Sequence, residues 1–173
     1  MQLQSIAKWM GASTLALAFI ILPGVTLAAG NDTVLKAADA QKLLPPAVYY
    51  KAQSAGTQLR NSGGVKFADG YYMLSTLVDT SGYSSDVASK YQAYLLTEVP
   101  LKFGGKTLPA GAYGVGFIPG NKFVVTDIGA HDVLTTSYAT DDAIKRPTPL
   151  QVLADPSGGF RLYEGRKYVH FSR

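Results

Sequence analysis

The sequence predicts an all-β fold: a single small antiparallel barrel or sandwich of about nine or ten short strands with a short N-terminal helix. Three observations predict it. Glycine-centred reversals at Asp69-Gly70, Gly104-Gly105, Gly120-Asn121 and Glu164-Gly165 sit between runs of β-branched and aromatic residues. Helical patterning is confined to two short stretches. No repeat of fixed period and no long linker divides the chain.

The opening residues read as an export signal rather than as part of the fold. Lys8 gives a basic start, Trp9 to Leu22 is uncharged and mostly apolar, and Pro23-Gly24 breaks it ahead of Thr26-Leu27-Ala28-Ala29. Basic region, apolar core, helix breaker and small residues follow in the order that signal peptidase needs. We therefore expect a signal over 1–28, a flexible leader over 29–35 and a single β-domain over 36–173, exported to the periplasm or the extracellular medium. An uncleaved anchor is the alternative, because Trp9 to Ala29 carries no charge. The mature chain is expected not to span a membrane.

Within the domain, Lys36 to Leu44 (KAADAQKLL) has good helix formers and no β-branched residue, and Pro45-Pro46 stops it. Ser84 to Tyr91 is a second helical stretch, with Ser84 or Ser85 available as its cap. If Gly120-Asn121 is a two-residue loop, Tyr113, Val115 and Phe117 share a face with Val124, Thr126 and Ile128. Gly114 and Gly116 then thin the other face, which predicts either a curled sheet or a close approach to the backbone. With Glu164-Gly165 as a loop, Phe160, Leu162 and Val169 form a core side with the stem of Lys167. Arg161, Tyr163, Arg166, Tyr168 and His170 then collect outside.

Composition excludes several chemistries. The 173 residues contain no cysteine, which removes disulfides, thiol nucleophiles and Cys-ligated metals. Two histidines, His131 and His170, cannot build a three-histidine metal site. No Gly-x-Ser-x-Gly elbow, phosphate loop or dinucleotide fingerprint is present. Glutamate occurs only at 98 and 164, so a carboxylate pair for sugar hydrolysis would have to join Glu98 to Asp127 or Asp79. No metal and no cofactor is expected.

The basic excess is local. Lys145 to Arg173 holds six Lys/Arg against Asp155 and Glu164. Arg161, Tyr163, Arg166, Tyr168 and His170 are accordingly the candidate ligand-binding residues, since Arg takes anions bidentately and Tyr offers a flat face. The bland reading is a solvated outer face of a terminal hairpin. Eleven tyrosines allow either an aromatic pocket or ordinary packing. His131 lies beside Asp132, but adjacent residues in extended chain point apart, so that carboxylate is poorly placed to orient it.

The function expected is that of an exported non-catalytic β-domain binding a small molecule, an anionic envelope glycan or an envelope protein; nucleic acid is not an expected partner. The alternatives are a periplasmic hydrolase using a His/carboxylate pair, or a small outer-membrane β-barrel. The segment Gly104-Gly105-Lys106-Thr107-Leu108-Pro109-Ala110-Gly111-Ala112-Tyr113 resembles one found in uncharacterised secreted bacterial small β-domain proteins. That resemblance implies a glycine turn, a Leu-Pro-Ala-Gly corner and a Tyr-led strand. It implies no activity.

Overall fold

The computed structural model describes residues 31–173, and the signal expected over 1–28 lies outside the described residues. Strand β1 (Thr33–Leu35) leads into one helical turn, α1 (Ala37–Ala40). β2 (Ala47–Tyr50) and the long β3 (Gln53–Lys66) form a hairpin, followed by β4 (Tyr72–Val78), helix α2 (Ser85–Lys90) and β5 (Ala93–Thr97). Next come β6 (Leu101–Phe103), β7 (Lys106–Leu108), β8 (Gly111–Ile118) and β9 (Lys122–Thr126). The remaining strands are β10 (Asp132–Ser137), β11 (Ala139–Thr140), β12 (Leu150–Ala154), β13 (Phe160–Glu164) and β14 (Lys167–Ser172).

These strands form two antiparallel sheets. The eight-stranded sheet runs β1-β3-β4-β5-β8-β9-β10, with β2 also on β3; the six-stranded sheet runs β12-β13-β14-β6-β7, with β11 also on β14. Neither sheet closes on itself among the described residues, so the all-β fold is a sandwich and not a barrel. The fourteen strands exceed the nine or ten expected, because β1, β6, β7 and β11 have only two or three residues each. Such pieces carry no readable alternation. Within the stretch expected as a leader, Thr33 to Leu35 pair with Lys66 to Gly64. The first helix also stops early, its α-helical residues ending at Ala40 rather than Leu44.

The core lies between the sheets. From the larger sheet come Val65, Met73, Leu95, Val115, Phe117, Phe123 and Val125, and from the smaller Leu101, Phe103, Leu150, Val152, Phe160, Leu162, Val169 and Phe171. Phenylalanines bridge the layers: Phe103 lies 5.6 Å from both Phe123 and Phe171, and Phe171 lies 5.5 Å from Phe160. At these centroid spacings each ring pair adds about 0.5–1.5 kcal/mol beyond its buried area.

The outer face of the larger sheet is covered by the two helices. α1 brings Ala40, with Leu44 following it, against Leu74. α2 is capped by Ser84, whose side chain accepts from the Val87 N–H, as expected. Gln92, two residues beyond α2, fastens this end to β8, its side-chain Oε1 accepting from the Phe117 N–H at 2.7 Å. Tyr91 stacks on Tyr50 at 3.7 Å, and Tyr83 meets both rings edge-on. A close approach at Gly114 and Gly116 was one of two expectations, and it is the protein's own helix and tyrosine stack that make it.

The β2–β3 hairpin turns on Lys51 and Ala52, both in the left-handed region at φ 48 and 63. A two-residue turn with both central φ positive matches strand twist but suits Asn-Gly far better than Lys-Ala. Replacing the pair by Asn-Gly should therefore stabilise the protein by about 1 kcal/mol. A urea titration should show a higher midpoint at unchanged slope.

Candidate functional site

The terminal hairpin brings four of the five nominated residues to one face. β13 and β14 pair with Arg161 opposite His170 and Tyr163 opposite Tyr168, and Gly165-Arg166 is the loop. The true register differs by two residues from the expected one, which preserves the faces. Arg166 is the exception. It sits in the loop, where its Nε donates to the Ile144 carbonyl at 2.9 Å.

On that face the charges are already answered. The Arg161 guanidinium forms an ion pair through Nε with the Asp155 carboxylate, lies 3.7 Å from Asp141, and covers the Tyr168 ring at 4.5 Å. Tyr163 Oη donates to Asp141 at 2.9 Å. His170 Nε2 lies 2.8 Å from the Gly158 carbonyl. The Arg161 hydrogen bond, helped by Ser157, holds the Asp155 carboxyl well below the usual carboxylate range. Asp155 in turn raises Arg161. The Arg161 side chain is 24% exposed, and what it can offer a ligand is a crowded edge rather than an open fork.

Two further cations of the basic segment are also engaged. Arg173 pairs with Asp69 at 2.6 Å, and Lys167 lies over the Tyr138 ring at 5.7 Å. Asp69 and Asp141 come from outside the basic stretch, so an excess that is local in sequence is shared out in space.

His131 does have a carboxylate partner, but it is Asp127. Nδ1 lies 3.0 Å from its Oδ2, while Asp132 pairs with Lys90 at 3.0 Å. Asp127 also accepts from the Gly129 and His131 backbone N–H groups at 2.8 and 3.0 Å, and these bonds hold its carboxyl low. The His131 side chain is 80% exposed. Asp127 therefore closes a turn, and the imidazole rides on it. Among the described residues no cluster of three or more His, Asp or Glu is placed to hold a metal ion.

A cleft of ≈ 390 Å³ lies elsewhere, between β1, β3 and β12. Val34, Leu35 and Lys36 line one side, Arg60, Asn61 and Ser62 another, and Thr148 to Leu153 the third. A bulge in β3 builds it. Gln58 pairs with Leu77 and Ser62 with Thr76, so Leu59, Arg60 and Asn61 are inserted opposite a single step of β4. Bulges re-aim side chains in this way. Two short-range bonds fix it: Asn61 Nδ2 to Gln58 Oε1 at 3.0 Å and Ser62 Oγ to the Leu59 carbonyl at 2.6 Å. Just beyond, β3 and β12 touch, where a Cβ on Gly63 would stand 3.0 Å from the Val152 nitrogen.

No family model, curated protein or solved structure matches the chain. What the cleft does must be read from its own residues. Leu153 remains exposed in it, and neither a tyrosine nor a carboxylate belongs to its lining. The aromatic pocket expected as one option is thus not what lines this cavity, since Tyr50, Tyr83 and Tyr91 pack on one another. Sequence reasoning missed the cleft because its parts are about ninety residues apart and its floor is a bulge. The available signal was Arg60-Asn61-Ser62-Gly63-Gly64, a charged and then small run inside a strand.

Proposed function

We propose that this protein is an exported, non-catalytic β-sandwich that binds a small, mostly apolar molecule in the cleft between β1, the β3 bulge and β12. The observation that carries the reading is an open, apolar concavity of ≈ 390 Å³, within the range of about 300–1,000 Å³ usual for small-molecule sites. Its walls favour a small molecule over a glycan, because no aromatic ring is present on which a sugar could stack. The Arg161 hairpin is the weaker candidate, its guanidinium being engaged by Asp155, Asp141 and Tyr168. Export rests on the signal-like order of residues 1–28.

Native mass spectrometry of the protein recovered from its own envelope fraction tests this. We expect one retained ligand per chain, with a mass on the order of a few hundred daltons. Thr148→Trp, a bulky replacement at an exposed lining position, should lose it while leaving the unfolding midpoint unchanged. A bare wild-type protein that also fails to take up decanol would defeat the proposal.

A further inference from the structure

The cleft's charge is as informative as its shape. Lys36 and Arg60 both line it, both are exposed, and neither takes part in an ion pair among the described residues. Four cations elsewhere are answered, Lys42 by Asp39, Lys90 by Asp132, Arg161 by Asp155 and Arg173 by Asp69. Others on the surface, such as Lys102 and Lys122, are unpaired among the described residues as Lys36 and Arg60 are; what sets these two apart is that they flank an apolar concavity. Lys106 and Arg166 donate to the Thr135 and Ile144 carbonyls. The cleft is therefore an apolar wall carrying two uncompensated positive charges from separate elements, the β1–α1 junction and the β3 bulge.

We infer that the ligand is a single-chain amphiphile with one anionic head group, held at the cleft mouth by Lys36 and Arg60, its alkyl chain lying along Val34, Leu35, Leu150, Val152 and Leu153. This rests on the binding reading above and specifies its ligand class. A head with two or more oxygens suits the pair, because Arg60 offers a planar fork and Lys36 a point charge. The tail is limited by space: ≈ 390 Å³ holds about a dozen groups the size of a water, or on the order of ten carbons.

Isothermal titration of the purified protein with decanoate, decyl phosphate and decanol tests the assignment. We expect one site per chain and at least about tenfold tighter binding of an anionic probe than of decanol, equivalent to about 1.4 kcal/mol. Comparison of decanoate with decyl phosphate tells which head the site takes. Arg60→Gln and Lys36→Gln should each weaken the anion while leaving decanol unchanged, and Arg60→Lys should keep most of the affinity. Both positions are exposed, so unfolding midpoints should confirm that the variants are folded. Equal binding of all three probes overturns the anionic assignment and leaves the cleft as an apolar site. No binding by any probe, with Thr148→Trp indistinguishable from wild type, overturns both readings.

Discussion

Gly116→Val should lower the unfolding free energy by about 3 kcal/mol, a large fraction of the total for a domain of this size. A Cβ at this position would stand 2.7 Å from the Lys90 carbonyl oxygen and 2.8 Å from that of Ser89. Both are backbone atoms at the end of α2, which no side-chain rotation can move aside. The helix cannot retreat freely either, because Gln92 ties the chain to β8 through the Val115 carbonyl and the Phe117 N–H. Gly114→Ala should be comparably harmful, since its Cβ would meet the Tyr91 ring and lie 2.8 Å from Thr126 Oγ1. Gly56→Ala supplies the control, with no atom within 4 Å of the added carbon. Urea titrations of the three variants would decide the matter. A Gly116→Val midpoint equal to that of Gly56→Ala would mean that α2 does not rest on β8.

The same glycines show how far the sequence could be read. Periodicity and turn chemistry located the hairpin between β8 and β9, but the loop holds three residues, Pro119 to Asn121. Assuming two shifts the register by one, and a slip of one exchanges the faces. Phe123 and Val125 join Val115 and Phe117 in the core, whereas Val124 and Thr126 turn out towards Gly114, Gly116 and the helix. In the last hairpin the slip was two residues, so Arg161, Tyr163, Tyr168 and His170 kept their common face. Local parity was readable there. The long-range partners were not: nothing in the order of residues places Asp141 beneath Tyr163, or Asp69 against Arg173.

Two further features left no local trace. The Lys51-Ala52 turn adopts positive φ at both positions without glycine or asparagine, so no turn dipeptide announces it. The β3 bulge depends on β4 continuing its pairing past three inserted residues, a relation between strands rather than a property of either. Because that bulge forms one wall of the cleft, the site was hidden for the same reason. The fold class lives in local chemistry. The site lives in how β1, β3 and β12 meet.

Alkali should unfold this protein cooperatively one to two pH units above the ordinary tyrosine range of about 10. Burial pushes Tyr50, Tyr83, Tyr91, Tyr94, Tyr113 and Tyr163 upward, and Tyr91 most clearly, being 0% exposed. Below pH 10 these phenols are neutral whether the chain is folded or not, so they contribute no pH dependence. As pH rises further the unfolded chain releases protons that the folded chain retains, and unfolding becomes progressively easier. Each ring held wholly neutral costs about 1.4 kcal/mol of stability per pH unit, and the half-buried rings cost less. Several acting together exhaust a total of about 5–15 kcal/mol within that span. Tyrosinate absorbance and near-UV circular dichroism should therefore change together in one steep step. A gradual titration centred near pH 10 with the dichroism intact would show that the Tyr50–Tyr91 stack is open to solvent. Tyr91→Phe sharpens the test, because the Tyr91 hydroxyl finds no hydrogen-bond partner among the described residues. Deleting that buried group should add about 1 kcal/mol at neutral pH and move the alkaline midpoint upward. A loss of stability instead would mean that the hydroxyl is bonded in solution, and that the stack is built around a bond rather than around ring contact alone.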